Sequence, residues 1–338
     1  MTKSECVFAP RQPLTDGVTV TETFPIRLGI AFFSILCYNC GVRGYTHIGK
    51  EDCIMAKPIV LCADSTCDLS PELIAKYNVH IMPLHVNLED KTFSDGVDIH
   101  PDDIYAYYHE HKVLPKTAAL NMDEVLEFVT PFIEAGNDVL CITIGSALST
   151  TYNSFRLAAM ETEGLYAIDS NNLSTGFGHV VMAAGDRIAA GMPIQQIVEE
   201  VQELTQKVEA SFIVDTLEFL HKGGRCSAVA MLGANVLKLK PCIEVSNEGG
   251  AMGVSKKYRG TLERVLEEYV ADRLSGREDI RQDRIFITHS GISEERIAVV
   301  KAAIEKHMQF DEIYVTRAGC TVSSHCGPNT LGILFVRK

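Results

Sequence analysis

VLCITIGSALSTTY, residues 139–152, is the stretch whose reading decides the fold. Its first part, Val139 to Ile144, is an unbroken apolar run with β-branched side chains. That pattern marks a strand covered on both faces, as in a parallel sheet layered between helices. Its second part crowds the hydroxyls of Ser146, Ser149, Thr150 and Thr151 into one strand-to-helix junction. Open α/β sheets bind ligands beyond the carboxyl ends of their strands, and free amides at a helix start favour an anion. A capped helix alone would need only one of the four hydroxyls.

The same strand-then-polar pattern recurs on either side. Pro58 to Ala63 reads as a strand ending in Asp64-Ser65-Thr66-Cys67-Asp68-Leu69, and Ser70-Pro71-Glu72 then opens a helix with an N-cap serine and a first-turn proline. Val79 to Asn87 reads as the next strand. Helices follow from Pro101 and over Met122 to Ala135, with a loop between them carrying Pro115-Lys116-Thr117. Leu165 to Ser170 is a further strand, and two helices, about 174 to 191 and 194 to 209, close this part. Alternating strands and helices imply a mostly parallel sheet with helices on both faces. Gly176 and Gly178 mimic a dinucleotide turn, but Val181 stands where the third glycine would be.

The second half is patterned differently. Cys242 to Ser246 and Met252 to Lys257 are strands joined through Asn247-Glu-Gly-Gly250, a hairpin signal. A helix over 261–274, a strand over Ile285 to Thr288, a helix capped by Ser293 and two more strands, Ile313 to Thr316 and Thr330 to Val336, complete an α+β domain with an antiparallel sheet. The expected division is an extension over 1–57, an N-terminal α/β domain over 58–209 and a C-terminal α+β domain over 210–338.

Composition sets the frame. The chain has 338 residues, 46% of them hydrophobic, and a formal net charge of -13. That is enough apolar material for two cores, and the negative charge argues against a general nucleic-acid or anionic-membrane binder. Residues 1 to 54 hold five basic and five acidic residues and four of the eleven cysteines, so the acidic excess lies entirely beyond them. Met55 therefore reads as the natural start. Within the extension, Leu28 to Tyr38 is too short to span a membrane. Cys37 and Cys40, with His47 and Cys53, lack the second paired half of a zinc site. Gly44 to Lys50 imitates a phosphate loop, with Glu51 where a magnesium-binding hydroxyl belongs. The other cysteines are scattered and mostly in apolar runs, as buried reduced thiols of a cytoplasmic protein would be.

Two residues of the second half invite a role. Asp215 to Gly224 reads as a short helix stopped by Gly223-Gly224, which delivers Arg225 ahead of the apolar run Ala228 to Leu237. A guanidinium fixed there suits a carboxylate, a phosphate or a structural ion pair. His325, followed by Cys326-Gly327-Pro328, sits in a restricted turn among serines and threonines.

From Pro58 to Val336 the chain resembles the DegV family, bacterial proteins of which several are the fatty acid-binding subunit of fatty acid kinase. The resemblance rests on Asp64 to Leu69, Pro115-Lys116-Thr117, Leu148 to Tyr152, Ile168-Asp169-Ser170, Asp215 to Arg225, Leu239-Lys240-Pro241 and His325 to Pro328. It implies a two-domain α/β fold with a long-chain fatty acid buried between the domains. It also implies that Thr117, Ser149, His325 and Arg225 bind the carboxyl head, and that a separate kinase subunit is the partner. Thr150, Ala118, Ala119 and Asn329 depart from the family pattern. No HExxH array, GxSxG elbow or complete dinucleotide fingerprint is present, so a binding protein is expected, not an enzyme, with no cofactor besides the bound lipid. The competing reading is a hydrolase or phosphotransfer enzyme with Ser149 as nucleophile and His325 as base. Finally, residues 222–264 hold eight Lys or Arg against three Glu, a basic island suited to docking an acidic kinase surface, with Lys256, Lys257 and Arg259 as its exposed members.

Overall fold

The computed structural model describes residues 57–226 and 239–338. The proposed extension motifs and the apolar run Ala228 to Leu237 therefore lie outside the described residues. In chain order the elements are β1 (Ile59–Asp64), α1 (Pro71–Lys76), β2 (Val79–Met82), β3 (His85–Leu88), β4 (Lys91–Ser94), α2 (Pro101–His111), β5 (Lys116–Ala118), α3 (Met122–Glu134), β6 (Asp138–Thr143), α4 (Thr151–Glu161), β7 (Leu165–Asp169), α5 (Ser174–Ala189) and α6 (Ile194–Thr205). The second half adds β8 (Val208–Ile213), α7 (Glu218–Gly223), β9 (Leu239–Val245), β10 (Met252–Arg259), α8 (Leu262–Leu274), β11 (Arg284–His289), α9 (Glu294–His307), β12 (Glu312–Arg317), α10 (Cys320–Cys326) and β13 (Leu331–Val336).

The apolar run that opened the reading is β6, central with β1 in a parallel four-stranded sheet of order β2-β1-β6-β7. It is buried from Val139 to Thr143, as two-sided coverage requires. The second sheet has six strands in the order β10-β9-β8-β13-β11-β12. All its pairings are antiparallel except β11 with β12, and the predicted hairpin is β9–β10. α5 lies between the sheets, with Ser174 to Gly185 buried throughout. Its side chains join one hydrophobic cluster running from Leu61 and Ile142 of the first sheet to Phe212 and Leu334 of the second. Gly176 and Gly178 sit inside this helix, so the dinucleotide-like spacing forms no turn.

Three expectations need correction. Val79 to Asn87 is not one strand. It breaks at Pro83-Leu84 into β2 and β3, which belong to different sheets, because proline cannot donate to a ladder. The Pro115-Lys116-Thr117 segment is not a loop: β5 pairs antiparallel with β3, with Val86 opposite Thr117, in a small sheet of order β4-β3-β5. His325 is not in a tight turn. It occupies the last turn of the short helix α10, which Gly327 ends at φ 76°.

Candidate functional site

The loop leaving β6 is pinned before it reaches Ser149. Gly145 N donates to Asn172 O at 2.8 Å and Ala147 N to Gly249 O at 2.8 Å, while Ile144 N donates to the buried Asp64 Oδ2 at 2.7 Å. These bonds fix the chain on the approach to Ser149, Thr150 and Thr151. Ser149 Oγ accepts from Thr151 N at 3.2 Å and lies 2.9 Å from Thr151 Oγ1, so it occupies one of the amides at the start of α4.

Thr117 and His325, 208 residues apart, meet directly, with Thr117 Oγ1 2.9 Å from His325 Nε2. Burial, reinforced by the Arg225 charge, lowers the His325 pKa to about 4. The imidazole is therefore neutral at pH 7, able to donate from one nitrogen only. Its Nδ1 is buried without a hydrogen-bond partner. That ring sets the sequence of the Gly-Gly break. A Cβ on Gly223 would stand 2.4 Å from His325 Nδ1, and Gly224 adopts φ 69° to end α7. One glycine admits the histidine and the other turns the chain.

Arg225 follows at once. Its Nη1 donates to Gly223 O at 3.0 Å and its Nε to Leu148 O at 3.4 Å, and it forms no ion pair with a carboxylate among the described residues. The structural ion-pair alternative is thus not realised there.

All four predicted residues, Thr117, Ser149, His325 and Arg225, line one cavity of about 290 Å³. Its other walls include Leu84, Ile144, Leu148, Leu173, Met252 and Val322. A second, smaller cavity of about 30 Å³ shares Leu173, Val322 and Cys326 with it and runs in between β8, β11 and β13.

Sequence reasoning missed what holds α10 in place. Asp95, 3% exposed, accepts from Cys320 N at 2.7 Å, from Thr321 N at 3.0 Å and from Ser65 Oγ at 3.1 Å. Asp68 accepts from Gly319 N at 2.8 Å and from the Ser174 hydroxyl. Two buried carboxylates from distant segments thus cap the helix that carries His325. Burial raises Asp68 to about 8 and Asp64 to about 6, with Asp95 adding to both. Nothing around Asp95 in the sequence, Ser94-Asp95-Gly96, distinguishes it from a surface turn.

The enzyme alternative does not find its geometry. His325 Nε2 faces Thr117 and Ser149 Oγ faces Thr151, with no hydrogen bond between nucleophile and base. Among the described residues no acid orients the imidazole, whose Nδ1 lies against the Gly223 backbone.

Comparison with known proteins finds relatives of the same fold. A solved structure described as fatty acid binding of a DegV family protein from Thermus thermophilus is 28% identical, with a TM-score of 0.75 over 83% of this chain and 100% of that one. A DegV lipid-binding protein from Thermotoga maritima is 26% identical, with a TM-score of 0.71 over 83% and 99% of the two chains. A DegV domain-containing protein from Deinococcus radiodurans is 30% identical over 81% of this chain and 97% of its own length. The model of the DegV family, described as an uncharacterised protein family, matches residues 58–338. With the fold, the order of motifs and that match in agreement, the chain belongs to the DegV family.

Proposed function

We propose that this protein binds a long-chain fatty acid, with the carboxylate against Thr117, Ser149, His325 and Arg225, and presents it to a separate kinase for acyl-phosphate formation. The observation that carries the reading is the single cavity in which these four polar groups meet walls that include Leu84, Ile144, Leu148, Leu173, Met252 and Val322. A buried carboxylate needs several donors, and each methylene leaving water contributes about 0.8 kcal/mol, so tight binding requires no catalytic group. Relatives described as binding fatty acids support the same ligand class. Cys62, Cys67, Cys141, Cys242, Cys320 and Cys326 are buried free thiols, in keeping with a cytoplasmic location.

Fatty acid affinity measured for Thr117→Ala, Ser149→Ala and His325→Ala should fall about tenfold to a hundredfold each, since each leaves a buried anion short of a donor. Pairs should be less than additive, because the three act on one group. Arg225→Ala should weaken the acid while leaving folding stability nearly unchanged, since its bonds go only to two backbone carbonyls at an exposed position. A fatty alcohol serves as the control ligand. Equal binding of alcohol and acid by the unmutated protein would refute the head-group site.

The kinase half of the proposal has its own handle. β10 is the outer strand of the six-stranded sheet, and on it Lys257 and Arg259 are exposed. Lys256 is taken up by Asp272 and Glu268, Lys222 by Glu218 and Lys240 by Asp215. Three of the eight basic residues of the island are thus ion-paired, and on β10 Lys257 and Arg259 are the members left for a partner. Reversing both charges should slow acyl-phosphate formation several-fold in a reconstituted assay, because charges at an interface rim govern the encounter rate. Fatty acid binding should not change. Unchanged transfer would assign the two residues only to protecting a sheet edge.

A further inference from the structure

Thr321 is the one residue lining the cavity that combines burial with an unanswered hydroxyl. It is 7% exposed, it lines the main cavity, and its Oγ1 is buried with no hydrogen-bond partner. Its backbone amide is already held by Asp95 Oδ2 at 3.0 Å, so α10 cannot readily turn to bring the hydroxyl elsewhere. Thr321 and His325 are four residues apart on one helix, hence on the same face and separated by about 6 Å along its axis. A buried hydroxyl left unpaired costs about 1 to 3 kcal/mol, and valine would fill the same volume without that cost. The apolar Val322 beside it on the cavity wall shows what a purely hydrocarbon contact would use.

We infer that the Thr321 hydroxyl is a second polar subsite, and that it favours acyl chains bearing an oxygen substituent, such as a hydroxyl, within the first few carbons from the carboxyl group. This rests on the fatty acid reading above and adds a preference within it. At a separation of about 6 Å along the helix, a substituent near the head lies within reach of Thr321, whereas one far along the tail does not. The hydroxyl both donates and accepts, so it can answer a hydroxyl or keto oxygen.

The test compares hexadecanoic acid, its derivative hydroxylated on carbon three or on carbon five, and an acid hydroxylated on carbon twelve, against the unmutated protein, Thr321→Val and Thr321→Ser. The unmutated protein should bind at least one of the near-head hydroxy acids at least as tightly as hexadecanoic acid. Thr321→Val should weaken that hydroxy acid about tenfold while leaving hexadecanoic acid unchanged or stronger, and Thr321→Ser should retain the preference. The acid hydroxylated on carbon twelve should not respond to either substitution. If hexadecanoic acid binds but Thr321→Val leaves the ratio between plain and hydroxylated acids unchanged, the subsite is wrong and the head-group reading stands. If Thr321→Val weakens plain and hydroxylated acids alike, Thr321 serves the carboxylate and the preference is again refuted. If no acid binds the unmutated protein in preference to hexadecanol, the head-group reading itself falls, and the subsite with it.

Discussion

Asp95→Ala should lower folding stability by about 3 to 5 kcal/mol, measured by urea unfolding. The carboxylate accepts from two backbone amides at the start of α10 and from Ser65 Oγ, and the residue is 3% exposed. Its removal strands two buried amides and the partly buried Ser65 hydroxyl, each costing about 1 to 3 kcal/mol less whatever water can recover. Asn should not rescue fully, because its amide turns one acceptor into a donor facing another donor. The damage should also reach the cavity, since Thr321, Val322, His325 and Cys326 all hang on this helix. A loss below about 1 kcal/mol would mean that α10 holds its position without the cap.

The second large effect is one of pH. Asp68 is raised from 3.8 to about 8 by burial, against the opposing bonds from Gly319 and Ser174 and with further upward push from Asp95 and Asp64. A carboxyl that holds its proton when folded and loses it when unfolded makes stability fall as pH rises between the two values. Below about pH 6.5 that trend is masked. Asp64, raised to about 6, acts in the same direction, whereas His179 and His325, both lowered to about 4 by burial, make stability rise with pH up to 6.5. The Asp68 contribution is largest between about pH 6.5 and 8, where it should amount to a loss of about 1.5 to 2 kcal/mol, at up to 1.4 kcal/mol per pH unit. It is read as the difference between the unmutated protein and Asp68→Asn, because His179, His289 and His325, all lowered by burial, partly offset it just above pH 6.5. Asp68→Asn keeps an acceptor for Gly319 N and offers Ser174 a donor, and it should flatten the profile in that window. A slope that survives the substitution would show that another group carries it.

Much of this was legible before any coordinates, and the reasons are local. The apolar run ending in Thr143 could only be a covered strand, and Asn247-Glu-Gly-Gly250 could only be a tight connection between two strands. Thr117, Ser149, His325 and Arg225, the residues proposed for the head group, were picked out through motif resemblance, and their convergence on one cavity follows from a fold that brings segments 208 residues apart into contact. What stayed hidden is of another kind. Asp95 looks like any aspartate before a glycine, because its function depends on amides supplied by residues 225 and 226 positions further on. β5 was hidden for the same reason, since three residues become a strand only when Val86 lies opposite Thr117. α10 lacks helix-forming strength of its own, being rich in serine, cysteine and β-branched residues. Tertiary capping makes it a helix, and no periodicity announces that.

The place of β13 in the second sheet has a consequence for how the protein is made. That strand lies between β8 and β11, pairs with both, and is buried along its whole length, yet it leaves the ribosome after every strand it joins. Until it emerges, β8 and β9 on one side and β11 and β12 on the other have no common partner, and α10, just ahead of it, has no finished surface to settle on. The first sheet needs nothing beyond β7 and is free to form early, in the order in which nascent domains generally fold. The cavity that gathers Thr117, Ser149, Arg225 and His325 is therefore completed last, when α10 can settle against a finished second sheet.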